Sequence, residues 1–317
     1  MGNAKKPQAA VVGGAYVEAG QAGSSGGLVP GGMPVRVSLE LARMGARVFF
    51  LSSVGLDEGG AAVVSELRKS RVNVDFVERR KSADTARLAP GAGSGGADYA
   101  AGLHGAGAHM DRSVLLAARA MVSSCDLVIV FTDVPPDTVR FALALAHHFG
   151  IPAMVKVTGP GSVSRRLLSE VDVLVVDVEE AQAMTYRKIR GTRDAAACVG
   201  LLLGFGAGAV VISVRGFGVA CGTDPAAPAY VPAPRTAGRR AWNEAGLVAR
   251  TAFGLARGVS LQTACFAACR YAAAGAEGAP RGTPPLSGTP RRGALERPAT
   301  ARAGRGAARG HMKEAPD

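Results

Sequence analysis

The sequence predicts an α/β fold with an open, mostly parallel central sheet and helices on both faces. Three observations carry that prediction. Apolar runs at 48–51, 127–131, 153–157, 172–176 and 209–214 have the length and the Val, Ile, Leu and Phe content of strands covered on both sides. Stretches with helical periodicity separate them, the rhythm of parallel strands joined by crossover helices. Glycines and acids cluster just after several runs, and ligands in such sheets bind at the carboxyl ends of the strands.

In chain order, 9–14 (AAVVGG) is a short buried strand closed by a glycine turn. The G-x-G-x-x-G spacing is absent, which excludes a dinucleotide-binding turn. A Gly- and Ser-rich loop at 19–32 precedes a helix over 33–44 that buries Val35, Leu39 and Leu41 and stops at Gly45. The strand at 48–51 runs into Gly55-Leu56-Asp57-Glu58-Gly59-Gly60 and a helix over 61–69, then Val72-Asn73-Val74-Asp75. The segment 88–107 is too glycine-rich to hold a sheet well. Asp137 opens an amphipathic helix to Phe149, with His147 and His148 on its surface. Asp177, Glu179 and Glu180 follow the strand at 172–176. There they are either oxygen ligands for a hard cation or a helix cap favoured by the dipole. Finally, a turn at 232–238 opens a helix carrying Leu247, Val248, Phe253 and Leu255. Such a turn leaves N–H groups facing an anion.

Composition sets the bounds. In 317 residues, 48% hydrophobic content supports a large core, and 5% aromatic content makes it a core of Ala, Val and Leu. No run reaches the roughly 18 apolar residues of a membrane span, and MGNAKKPQ lacks a signal-peptide core, so a cytoplasmic location is expected. The net charge of +12 is concentrated: 281–317 holds eight Lys or Arg against three Asp or Glu, +5 of the total. With its Pro, Gly and Arg content that tail is expected to be disordered, and nucleic acid is not the expected partner. Cys265 and Cys269, one helical turn apart, are expected as small core residues rather than metal ligands.

Gly31-Gly32 followed by LELARMGARVFFLSSVGLDEGG, then Asp133-Val134-Pro135, Asp177-Val178-Glu179-Glu180, Ser213-Val214-Arg215-Gly216-Phe217-Gly218, and finally Gly238 and Gly246, come in a fixed order. That order resembles the ribokinase or PfkB-type family of sugar and nucleoside kinases, over about 10–274. The resemblance implies a three-layer ribokinase-like domain at 1–280, with a small, weak β lid from segments at about 15–32 and 72–107. The basic tail at 281–317 lies beyond it. It implies ATP and Mg2+ as cofactors and a small sugar or nucleoside as partner. Family homodimers often form through lid strands, and the glycine-rich 88–107 should weaken that contact, so a monomer or weak homodimer is expected.

The resemblance also assigns residues. Glu18 takes the place of the substrate-gripping aspartate, Gly31 and Gly32 form the lid hinge, and Asp133 heads the E-I-P counterpart. Arg36 and Gly107 replace substrate-binding asparagines. Asp177 and Glu180 match the N-x-x-E that organises water around magnesium and the phosphates. Ser213, Gly216 and Gly218 belong to the loop under the nucleotide, where Arg215 displaces a glycine. The family's D-T-x-G-A-G-D falls on 235–241. Thr236 and Gly238 match, Arg239 and Arg240 replace the Ala-Gly of the phosphate-binding hole, and Ala241 stands at the position of the catalytic base. The pattern is that of a pseudoenzyme with catalysis weak or lost. The alternatives are an active kinase with Glu244 as substitute base, or a non-catalytic ligand-binding or interaction protein. Local corruption of the sequence near 235–245 would produce the same departures.

Overall fold

The run Ala9-Ala10-Val11-Val12 is apolar at every position because it becomes a central strand, β1 (Gln8–Val12), with neighbours on both edges. A computed structural model of the protein describes residues 6–19, 27–88, 104–159, 163–234 and 242–278. After β1 come β2 (Tyr16–Ala19), β3 (Leu28–Gly31), α1 (Met33–Arg43), β4 (Arg47–Gly55), α2 (Glu58–Lys69), β5 (Val77–Arg80) and β6 (Ala86–Leu88). A 3-10 turn at Gly105–His109 leads to the short helices α3 (Arg112–Ala117) and α4 (Arg119–Val122). Then follow β7 (Leu127–Phe131), α5 (Pro136–His148), β8 (Ala153–Lys156), α6 (Arg165–Leu168), β9 (Val173–Asp177), α7 (Val178–Thr185) and α8 (Thr192–Gly204). The described chain ends with β10 (Val210–Val214), β11 (Gly218–Gly222), β12 (Ala229–Pro232), α9 (Glu244–Ala256) and α10 (Leu261–Gly278).

The main sheet has the order β12-β11-β10-β9-β8-β7-β1-β4-β5, and its pairings from β5 to β10 are parallel. The five apolar runs are therefore β4, β7, β8, β9 and β10 of one sheet, as expected. Only β11 and β12 close its far edge in antiparallel fashion. Side chains alternate between faces along each strand. Ala9 and Val11, Val48 and Phe50, and Ile129 and Phe131 enter the core shared with α1, α9 and α10. Ala10 and Val12, Phe49 and Leu51, and Val128 and Val130 enter a second core packed with Val139, Leu143 and Leu202 of α5 and α8. Two cores on opposite faces of one sheet make the three layers. Cys265 and Cys269 are fully buried in the first core, the structural role expected of them.

A second sheet, of order β3-β2-β6, is built from the segments expected to form the lid. The lid expectation for 72–107 needs correcting at its start. Val77–Arg80 pairs in parallel with Ser52–Gly55 of β4, at the edge of the main sheet, and lid pairing begins at Ala86. The apolar Val77 packs against the first core, which draws this strand to the main sheet. The glycine-rich 89–103, Gly238, Arg239 and Arg240 of the expected phosphate-binding hole, Ala241 at the expected base position, and the tail 281–317 lie outside the described residues.

Candidate functional site

Strands run outward from β1 in both directions, to β4 on one side and β7 on the other, so the sheet has its topological switch point at β1/β7. The polypeptide leaves β1 through Gly13-Gly14 and leaves β7 through Thr132-Asp133. Asp133 is buried, and its Oδ1 accepts the Gly14 N–H at 3.0 Å, joining the two strand ends. Thr132 Oγ1 accepts the Thr158 N–H at 2.9 Å and extends the stitched rim to the end of β8. Gly31 and Gly32, the expected lid hinge, lie against this rim. Gly32 has φ +107°, a conformation that favours glycine, and a Cβ there would sit 3.3 Å from the Gly14 carbonyl oxygen. A Cβ on Gly31 would fall 2.3 Å from the Tyr16 ring, so glycine is needed for the ring to close over the backbone. Arg36 lies one turn into α1, its N–H bonded to the Gly32 oxygen. Glu18 is in the middle of β2, opposite Val29 and Leu88 of the lid. Gly31, Gly32 and Asp133 thus share one corner, while Glu18 lies on β2 of the small sheet.

A second polar group lies at the ends of β8, β9 and β10, and its centre is a residue the family pattern does not point to. Lys156, the last residue of β8, is buried with a side-chain exposure of 3%. Its Nζ donates to Glu180 Oε2 at 2.7 Å and also to the Val157 carbonyl oxygen. Glu180 is equally enclosed, with 6% side-chain exposure. Its Oε2 also accepts the Asp177 N–H at 2.8 Å, and its Oε1 accepts the Gly159 N–H at 3.2 Å. Asp177 returns the bond, Oδ1 accepting the Glu180 N–H at 2.8 Å, which completes a capping box at the start of α7. Burial works against the ammonium, but the carboxylates of Glu180, Glu244 and Asp177 outweigh it and hold Lys156 above the ordinary lysine range. Removing one partner of such a buried pair leaves an uncompensated charge, typically costing about 3–5 kcal/mol.

Glu244 closes the group from the α9 side. Its Oε2 accepts from Ser213 Oγ at 2.7 Å and from Trp242 Nε1 at 2.9 Å, while its buried Oε1 has no partner among the described residues. Asn243 caps α9 by accepting the Gly246 N–H at 2.8 Å and donates through Nδ2 to Glu40 on α1. Gly216 and Gly218 form the hairpin between β10 and β11. A Cβ on Gly218 would meet the Val231 carbonyl oxygen at 2.2 Å, so its glycine serves the pairing with β12. Asp177, Glu180, Ser213 and Glu244 are thus brought together around Lys156, and sequence reasoning missed both Lys156 and Trp242. The available signals were a lone lysine in the apolar run AMVKV and the only tryptophan of the chain.

Asp177 and Glu180 do not fit a magnesium ion. One Asp177 oxygen is committed to the helix cap, both Glu180 oxygens hold N–H donors, and an ammonium already lies within bonding distance. Magnesium calls for near-octahedral oxygen coordination and keeps several of its waters. Among the described residues the two acids serve as a helix cap and a lysine partner.

Comparison with known proteins agrees with this topology. The profile of the "pfkB family carbohydrate kinase" matches residues 8–235. The chain belongs to the PfkB family of carbohydrate kinases. Among curated relatives, ribokinase from Schizosaccharomyces pombe is 26% identical over 155 residues, 48% of this chain and 49% of that protein. Ribokinase from Bacillus subtilis is 24% identical over 164 residues, 51% and 55% respectively. The matches thus span about half the length of these PfkB relatives. Among solved structures, Arabidopsis thaliana ribokinase complexed with ribose and ATP superposes with a TM-score of 0.70 at 17% identity, covering 84% of this chain and 93% of that one. Aminoimidazole riboside kinase from Salmonella enterica, complexed with aminoimidazole riboside and an ATP analogue, gives 0.62 at 17% identity, covering 84% and 92%. At those identities the likeness is one of fold. No helix among the described residues is long and apolar enough to cross a membrane.

Proposed function

We propose that this chain binds ATP and a small sugar or nucleoside on the PfkB fold, with phosphoryl transfer weak or lost. The observation that carries the reading is the pair of polar groups along one edge of the sheet. Gly31, Gly32 and Asp133 lie at β1/β7, and Lys156, Ser213 and Glu244 lie at β8–β10. From β9 to β1 is three strand spacings, about 14 Å. This supports a hydroxyl-bearing ligand at the switch point under the lid and a phosphate chain beside it. The bound pairs named for the Arabidopsis and Salmonella structures are of that kind. Glu18 and Arg36 are proposed as substrate contacts, and Ser213, Gly216, Gly218, Gly238, Arg239 and Arg240 as the nucleotide side.

Transfer to a hydroxyl requires positioning, charge neutralisation and a group to take the proton. Ala241 offers no such group. A positioned base is typically worth about 10²–10⁴ in rate, so its absence corresponds to about 3–5 kcal/mol of lost barrier lowering. The unpartnered Glu244 Oε1 favours a second reading, in which Glu244 takes the proton while Ser213 and Trp242 hold its other oxygen.

Turnover of ATP against a panel of sugars and nucleosides separates the two. Under the first reading turnover sits near background both in the wild type and in Glu244→Gln. Ala241→Asp combined with Arg239→Ala and Arg240→Gly then gains at least about 10²-fold, the low end for a general base. Robust wild-type turnover abolished by Glu244→Gln would establish the second reading. No binding of ATP or of any panel member would leave an interaction protein on the same fold.

A further inference from the structure

Of the two acids that family resemblance assigns to magnesium, Glu180 already holds a cation belonging to the chain, with Asp177 beside it. Lys156 is fixed at its backbone by parallel partners on both sides, Phe131 of β7 and Val175 of β9, so its side chain leaves the end of β8 toward α7. There the ammonium lies 2.7 Å from Glu180 Oε2, with Asp177 and Glu244 close enough to add to its stabilisation. A lysine ammonium is a compact point charge, and a divalent ion at the same carboxylates would place like charges together.

We propose that Lys156 is a built-in replacement for the divalent metal beside Asp177 and Glu180. This pair recruits no divalent ion, and a nucleotide bound next to it is bound without a metal requirement. The second statement rests on the nucleotide-binding reading above; the first does not. The replacement changes the chemistry available at this end of the cleft. One fixed positive charge stands where two exchangeable ones would be, and at 3% exposure the ammonium neutralises the acids rather than coordinating phosphate oxygens.

Two measurements on the full-length protein test this. The first titrates Mn2+ alone, followed by its electron paramagnetic resonance signal. The second measures ATP affinity by calorimetry in excess EDTA and in excess MgCl2. The wild type is expected to take up no stoichiometric Mn2+ and to bind ATP with affinities within about twofold in the two buffers. Stoichiometric Mn2+ uptake by the wild type, or ATP binding at least about tenfold tighter with MgCl2, overturns the proposal. If ATP binds in neither buffer, the nucleotide reading fails and the Mn2+ titration alone decides whether the pair is metal-free. Lys156→Met should gain Mn2+ binding and Lys156→Arg should not. A folded Lys156→Met that still takes no Mn2+ overturns the replacement, because the acids would then lack a metal site with or without the ammonium. Should Lys156→Met not fold, the two wild-type measurements still decide.

Discussion

Single residues of the family motifs here do structural work that their spacing alone does not reveal. Asp57, the surviving acid of Gly55–Gly60, caps α2 through the Gly60 N–H at 2.7 Å and accepts the Thr85 N–H at 2.8 Å and hydroxyl at 2.7 Å. It therefore latches the first turn of α2 to the residue before lid strand β6. Burial opposes its charge, but the bonds from Gly60 and Thr85 prevail and hold the carboxyl below the ordinary aspartate range. A depressed folded-state value gives stability that is present above the unfolded value, near 3.9, and is lost as pH falls through the folded one. Asp57→Ala should therefore cost about 1–2 kcal/mol near neutrality, and the deficit should shrink on acidification to about pH 3. Thermal melts of both proteins at the two pH values check this, and an unchanged gap would contradict it. Lys156 teaches the complementary lesson. A charge inside an apolar strand was visible in the sequence, but its partner Glu180 lies 24 positions away and only the fold brings them together.

Elements were legible wherever one periodicity dominated. The strands β4, β7, β8, β9 and β10 and helices α1 and α5 fall where apolar runs and spacing put them, and Gly45 ends α1 with φ +87°. β5 was not legible, because its residues Val77-Glu78-Arg79-Arg80 carry three charges and its place is set by pairing with β4. The seam between α9 and α10 was half legible. The apolar side chains of α9 announce a core helix, yet α9 is buried all the way from Ala245 to Leu255, with α1, α10 and the sheet around it. Gly246 is the reason α10 fits so closely. A Cβ there would lie 2.5 Å from the Tyr271 ring. In an exposed helix, Gly→Ala would stabilise by about 1 kcal/mol. Gly246→Ala should instead destabilise, by about 1–3 kcal/mol, as overpacking does. In a Tyr271→Ala background the same change should cost less, the remaining crowding being Asn243 Nδ2 at 2.8 Å from that Cβ. A double-mutant cycle by urea denaturation reads the coupling, and additive effects would mean that the ring moves aside freely.

At the scale of the whole molecule, the parallel sheet followed from strand and helix alternation, while its strand order, and with it the switch point, is given by the structure. The small sheet was read from the family resemblance and not from such alternation, because its described strands are short and draw on distant segments. β2 and β3 have four residues each and β6 has three, with the parallel β2–β6 pair joining residues about seventy positions apart. That smallness bears on assembly. An edge of four residues is about 13 Å long, and a stable interface generally buries at least about 1,000 Å². The outer lid strand β3 offers one exposed apolar side chain for the purpose, Val29 at 54% exposure. Two such edges meeting would bury far less than a lasting dimer needs. Sedimentation velocity across a micromolar concentration series is therefore expected to give a monomer, or a dimer that dissociates within the series. A dimer that persists throughout and falls apart on Val29→Lys would show that the lid edge suffices. A persistent dimer indifferent to Val29→Lys would place the contact elsewhere on the molecule, and in either case the weak-dimer expectation would be wrong.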